Sequence, residues 1–331
     1  MLVLVRTALV LLVGCAGMAP GLIDPSAAAP PSGVPARTGG VAATSAAPSL
    51  DAAEVQAFFD DYLGTRMAEA HVAGVTVSVV DAGRVLFEKG YGYADVARKV
   101  RVDPQRTPFV LGSLSKVFTW TAVLQLVEQG RLDLDADVNT YLDFAIPDTY
   151  PQKITLDNLM AHNASFEESR YQQMKAPGET PEALGTWVRT HIPDRIRPPG
   201  QFSAYANYNA ALAGYIVERV SGTTFDDYVE KNILTPLGME RTTSRQPAPD
   251  PLARDMTKVY AYEDGTYRSQ PGYDVTLNAA PAGSVRGTAA DMGRFMLAHL
   301  DDGRYDGRAV LRPETARLMH SRSFAHDPRV N

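Results

Sequence analysis

The sequence predicts an α/β layer structure, and three stretches taken in order predict it. Asp51 to Leu63 carries a helix start signal followed by apolar residues at helical spacing. Val75 to Tyr91 reads as a β-hairpin, and Ser113 to Val127 as a helix that is apolar nearly all round. An amphipathic helix, a hairpin and an enclosed helix can share one core when the helices are layered on a sheet.

The chain begins with M-L-V-L-V-R-T-A-L-V-L-L-V-G-C, residues 1–15, which has one early positive charge and a short apolar run ending in small residues. This pattern predicts an export signal, too short to span a bilayer. Its ending, Leu12 to Cys15, resembles the lipobox of bacterial lipoproteins, in which the cysteine is lipidated, so Cys15 is a candidate membrane anchor. An ordinary signal peptide cut near Ala27 to Ala29 is the alternative. Residues 16–50 are mostly Ala, Pro, Ser and Gly, which cannot build a core and predict a flexible tether. The folded region, 51–331, opens on D-A-A-E, Asp51 to Glu54, a capping-box pattern. Val55, Phe58, Phe59, Tyr62 and Leu63 then give one apolar helical face. Val75, Val77 and Val79 alternate with small polar residues, Asp81-Ala82-Gly83 supplies a turn, and Arg84 to Tyr91 returns. The enclosed helix that follows is expected to pack on this sheet and to end at Gly130.

Further on, Leu156 to His162 and Pro181 to Thr190 predict short helices, and Pro198 to Gly200 a turn. In Gln201 to Gly222, the positions Leu212, Tyr215, Ile216 and Val220 predict an amphipathic helix with Tyr205-Ala206-Asn207 at its mouth. Thr288 to Leu300 and Pro313 to Met319 predict two more helices, the first with Met292, Phe295 and Met296 as its stripe.

The 331 residues suffice for a large core, and the net charge of −6 with no basic block argues against nucleic acid as a partner. The lone Cys15 excludes an internal disulfide and a cysteine-based zinc cluster. The histidines, His71, His162, His191, His299, His320 and His326, show no metal-binding spacing, so neither a metal nor another cofactor is expected.

The chemistry concentrates in Gly112-Ser113-Leu114-Ser115-Lys116. From Ser113 to Val127 the only charged residue is Lys116. An ammonium on a buried helix costs several kcal/mol unless it is paired or neutralised. Three residues on a helix bring Ser113 and Lys116 to one face, where a lysine of lowered pKa could take the serine proton. The plain alternative is that Ser113 caps the helix and Lys116 snorkels to water.

Phe109 to Thr119, F-V-L-G-S-L-S-K-V-F-T, resembles the active-site serine motif of the class C β-lactamase and D-alanyl-D-alanine carboxypeptidase superfamily, which also contains esterases and peptidases. Val72 to Asp95 resembles its opening hairpin, and Tyr205-Ala206-Asn207 its Tyr-x-Asn motif. Leu234 to Met239 and Pro281 to Phe295 resemble later blocks. The resemblance implies an antiparallel sheet flanked by helices with an all-helical subdomain. It also implies Ser113 as acylated nucleophile, Lys116 with Tyr205 as proton-transfer pair, and Asn207 as the residue that holds the substrate amide and orients Lys116. A free phenol, with a pKa of about 10, is a poor base at neutral pH, but a neighbouring ammonium stabilises its anion.

Two departures stand beside this. The family's His-Thr-Ser-Gly appears as His162-Asn163-Ala164-Ser165, which leaves specificity open. The family's Lys/His-x-Gly motif, on a strand that would follow Met319 and give the second oxyanion donor, is not found before Asn331, so the domain is expected to lack its C-terminal strands. The function expected is an exported, membrane-anchored or periplasmic/extracellular serine hydrolase. It would act through an acyl-enzyme on a small-molecule or peptide substrate: a D-Ala-D-Ala peptide, a β-lactam or a small ester. The alternative is a truncated or non-catalytic relative with a binding or scaffold role. An ordinary α/β-hydrolase is disfavoured, since no Gly-x-Ser-x-Gly occurs.

Overall fold

The computed structural model describes the backbone of residues 2–5 and 8–14 and then residues 50–169, 173–176, 179–270 and 276–324. Cys15, nearly all of the predicted tether and His326 lie outside the described residues.

The sheet has strand order β1-β2-β3-β4-β5, with β1 at Leu2–Val5, β2 at Ala8–Gly14, β3 at Gly74–Asp81, β4 at Arg84–Asp95 and β5 at Val100–Arg101. Neighbouring strands are antiparallel throughout. The stretch read as an export signal therefore forms strands here, with β2 paired to β3 from Ala8↔Asp81 to Gly14↔Val75. An apolar run without charge can complete the ladder on the outer edge of β3, whose N–H and C=O groups need partners.

Helix α1, Ala52–Glu69, lies on one face of the sheet. Asp51 caps it, Oδ1 accepting from Ala53 N at 2.8 Å and Glu54 N at 3.0 Å. The buried face is narrower than predicted. Phe59 and Leu63 pack with Val75, Val77 and Val79, whereas Phe58 and Tyr62 are exposed and stack on each other at 5.6 Å. A helix covered by one sheet alone buries one stripe, and the flanking aromatics are left to water. Every residue of β3 is buried, because helix α8, Ala289–Leu300, covers the opposite face. The small polar residues of β3 serve that packing: a Cβ on Gly293 of the covering helix would lie 3.0 Å from Ser78 Oγ.

Short strand β6, Phe109–Val110, leads into a 3₁₀ turn, Gly112–Leu114, and then α2, Ser115–Glu128. Ser113 thus sits on the turn before the helix. The expectation that α2 packs on the sheet is corrected: its main neighbours are helical. After α3, Leu156–Met160, β7, Met174–Lys175, and α4, Leu184–Thr190, come α5, Asn207–Ser221, and α6, Phe225–Val229. Helices α5 and α6 and a 3₁₀ turn at Ala280–Ala282 surround α2. A helix apolar all round needs apolar neighbours all round, and a sheet covers only one side. Tyr208 to Val217 of α5 are all buried, so α5 is less amphipathic than predicted, and it ends at Gly222 with φ 78°.

The remaining elements are α7, Leu252–Asp255, the hairpin of β8, Tyr260–Glu263, and β9, Thr266–Ser269, then β10, Thr276–Leu277, β11, Arg286–Gly287, and α8, Ala289–Leu300. The hairpin of β12, Arg304–Tyr305, and β13, Arg308–Ala309, precedes α9, Pro313–Met319. Helix α8 joins the layers, touching β3 on one side and contributing Phe295, 4.5 Å from Phe118 of α2, on the other. Among the described residues no helix is long and apolar enough to cross a membrane.

Candidate active site

The site forms where the turn before α2 meets the mouth of α5. Gly112 has φ 54°, which a glycine adopts at no steric cost, and the turn leaves Ser113 exposed while Lys116, one helical turn on, is 5% exposed. The block at 280–287 clamps this turn from behind. Leu111 N donates to Val285 O, Val285 N to Ser115 Oγ, and β11 pairs with β6.

Tyr205 and Asn207 arrive with the start of α5. Ser113 Oγ lies 2.8 Å from Tyr205 Oη and 3.2 Å from Lys116 Nζ. Lys116 Nζ also donates to Asn207 Oδ1 and to Ala282 O, both at 2.8 Å. Tyr205 Oη donates to Asn207 Oδ1 at 3.2 Å, which leaves its lone pairs to accept from Ser113. Lys116 Nζ stands 4.8 Å from the centre of the Tyr205 ring. Burial lowers the pKa of Lys116, opposed by the neighbouring Tyr205 hydroxyl and by the Glu168 carboxylate. A neutral amine keeps two N–H groups and one lone pair. Asn207 Oδ1 and Ala282 O can take the two hydrogens, and the lone pair is then directed at Ser113.

The four candidate catalytic and substrate-binding residues picked out from the sequence thus meet, and the structure adds others. Asn207 N donates to Glu168 Oε2 at 2.7 Å, and Asn207 Nδ2 to Glu168 Oε1 at 2.8 Å and Gln173 Oε1 at 3.2 Å. The loop bearing Glu168 is held by buried Phe166, bridged to Arg195, and by Glu167 N donating to Asp194 O. His162 lies against Tyr205, ring centres 4.6 Å apart, and its Nδ1 faces Asn209 Nδ2 at 3.0 Å and Ala206 N at 3.4 Å. Burial, reinforced by the Lys116 charge, holds His162 down at a pKa of about 4, so it is a neutral ring at physiological pH. No motif in the sequence announces Glu168 or Gln173. Ala282 lies in a block noticed only by resemblance, and its part is played by a carbonyl that any residue carries.

The sequence pattern of the family described as Beta-lactamase matches residues 59–330. The chain belongs to the beta-lactamase family. Family membership places it among the serine hydrolases related to β-lactamases and penicillin-binding proteins. It is 31% identical to Penicillin-binding protein 4 of Amycolatopsis lactamdurans over 258 residues, 76% of this chain and 66% of that protein. It is 29% identical over 183 residues to Protein flp of Staphylococcus aureus strain MRSA252, 54% of this chain and 36% of that protein. The chain thus spans about a third of the length of that relative. Its fold is that of the octameric penicillin-binding protein homologue from Pyrococcus abyssi, with a TM-score of 0.67 and 24% identity over 83% of this chain and 61% of that one. FmtA from Staphylococcus aureus is similar at a TM-score of 0.63 and 20% identity, over 82% and 72%. Both likenesses are likenesses of fold.

Among the described residues no group of three or more His, Cys, Asp or Glu is placed to hold a metal. His299 and His320 meet away from this site, Nδ1 to Nε2 at 3.1 Å, while His71 stacks on Tyr262 and His191 on Trp187.

Proposed function

We propose that this beta-lactamase-family chain is an exported serine hydrolase that works through an acyl-enzyme on an amide or ester. The candidates are a D-Ala-D-Ala peptide, a β-lactam or a small ester. The observation that carries the reading is an exposed Ser113 Oγ, 2.8 Å from Tyr205 Oη and 3.2 Å from a buried Lys116.

Ser113 Oγ attacks the acyl carbon as its proton passes to the Tyr205–Lys116 pair. The carbonyl oxygen becomes an oxyanion, then collapses as the bond to the leaving nitrogen or oxygen breaks and the pair returns the proton to it. Water next attacks the Ser113 ester, losing a proton to the same pair, and the acid leaves with Ser113 restored. The lowered pKa of Lys116 supports this, since a base must be unprotonated part of the time near neutral pH. Export by residues 1–15 and a lipid at Cys15 belong to the same reading, in which cleavage before Cys15 removes β1 and β2 and leaves β3 at the edge of the sheet.

Intact-mass measurement after incubation with a labelled penicillin and a labelled fluorophosphonate tests it. One adduct on Ser113 is expected, and none on Ser113→Ala. A folded protein without adduct, or equal labelling of Ser113→Ala, would end the proposal.

A further inference from the structure

Asn207 has no donor left for a substrate. An amide nitrogen carries two hydrogens, and Nδ2 meets two acceptors, Glu168 Oε1 and Gln173 Oε1, while the backbone N–H goes to Glu168 Oε2. A neutral carbonyl on the acyl side of a substrate would have to displace a carboxylate, which accepts hydrogen bonds about twice as strongly. What the mouth offers instead is the carboxylate. Glu168 is exposed, and among the described residues no Lys or Arg forms an ion pair with it. Among the described residues it accepts three bonds, two from Asn207 and one, at 3.4 Å, from Gln173 Nε2, whereas a carboxylate can accept about four. The carboxylate is separated from Lys116 and Tyr205 only by the Asn207 amide, whose Oδ1 both of them contact. Lys116 is turned inward to Ser113, Asn207 and Ala282 and leaves the negative charge facing the mouth.

Resting on the serine-hydrolase reading above, we propose that Glu168 selects substrates with a free ammonium group next to the scissile carbonyl, that is, aminoacyl esters or amides rather than N-acylated ones. The ammonium donates to the remaining open lone pair of Glu168 while the acyl carbon meets Ser113 Oγ. Glu168 touches the substrate without joining the proton transfer.

The test uses the full chain with alanine methyl esters of both hands, each with its amino group free or acetylated. The readout is the ratio of kcat/KM, free over acetylated. At pH 6.5 a ratio of about ten or more is expected in the wild type. It should fall toward one in Glu168→Gln and persist in Glu167→Gln, an exposed glutamate one position earlier whose backbone N–H is bonded to Asp194 O. Raising the pH through about 8 should erase the preference as the amine loses its proton. A wild-type ratio of one or below, or an unchanged ratio in Glu168→Gln, overturns the proposal. A labelled fluorophosphonate carries no ammonium and reports Ser113 alone. An adduct with a ratio of one sinks the selectivity and spares the hydrolase reading, whereas no adduct sinks both.

Discussion

Lys116 is the residue on which the site's chemistry turns, and its surroundings explain why a lysine is tolerated inside a helix core. Three acceptors, Ser113 Oγ, Asn207 Oδ1 and Ala282 O, match the three hydrogens of an ammonium, and losing the proton leaves the bonds to the last two intact. In the proposed reaction Tyr205 completes the relay, and half of its surface is open at 48% exposure. Tyr205→Phe is therefore expected to slow acylation of Ser113 by about 10²- to 10⁴-fold. Its stability should stay within about 0.5 kcal/mol of the wild type, because the ring keeps its contacts. Stopped-flow acylation and a denaturant titration measure the two. An unchanged acylation rate would remove Tyr205 from the mechanism. Ser113 and Lys116 are legible in sequence because their spacing is local and a lone charge among apolar residues is conspicuous. Glu168 is not, because a glutamate in a loop resembles any solvated glutamate until the fold carries it to Asn207.

At the scale of elements, the site depends on how closely α5 approaches the turn at 280–282. Gly214 of α5 abuts Pro281, where an added Cβ would fall 2.3 Å from Pro281 Cγ. The same turn presents Pro281 O to Thr119 Oγ1 and Ala282 O to Lys116 Nζ, both at 2.8 Å. Gly214→Ala is expected to cost about 1–3 kcal/mol from overpacking. It should also reduce acylation by moving Ala282 O away from Lys116. The midpoint of chemical denaturation and the labelling rate of Ser113 check both effects, and an unchanged midpoint with unchanged labelling would show that the turn shifts without consequence. The helices were readable from periodicity, as with the Met292, Phe295 and Met296 stripe of α8, and for α1 from the Asp51 cap as well. Their neighbours were not. Periodicity tells how much of a helix is buried but not what buries it, so α2 was expected against the sheet and lies among helices.

Across the whole molecule, buried histidines tie stability to pH. Burial holds His162 at about 4 and His299 at about 3, against an ordinary value of 6.5. Between the folded and unfolded values the unfolded chain binds more protons, so these groups make stability rise with pH through that window and fall on acidification below about 6.5. Half-buried Asp226 and buried Asp291, whose pKa values desolvation raises, act in the opposite direction, because the folded state then binds more protons. The histidine contribution is best isolated by difference. Stability relative to His162→Gln should change by about 3 kcal/mol between pH 7 and pH 4, the wild type losing more. Parallel stability curves over that range would show that His162 is not held neutral by the fold.

The sequence by itself picked out Ser113, its lysine, and the tyrosine and asparagine at the next helix mouth as candidates, and it placed helix α1, the hairpin of β3 and β4, and helices α2, α5, α8 and α9 in order. Each of these is written in local spacing, in a single misplaced charge or in blocks that recur within a family. Only the tertiary structure decided what surrounds them: the helical jacket of α2, the Ala282 carbonyl beneath Lys116, and the Glu168 carboxylate that occupies the donors of Asn207. Those contacts join residues tens to more than a hundred and sixty positions apart, and backbone carbonyls and loop carboxylates leave no periodic trace, so folding is what brings them to the site.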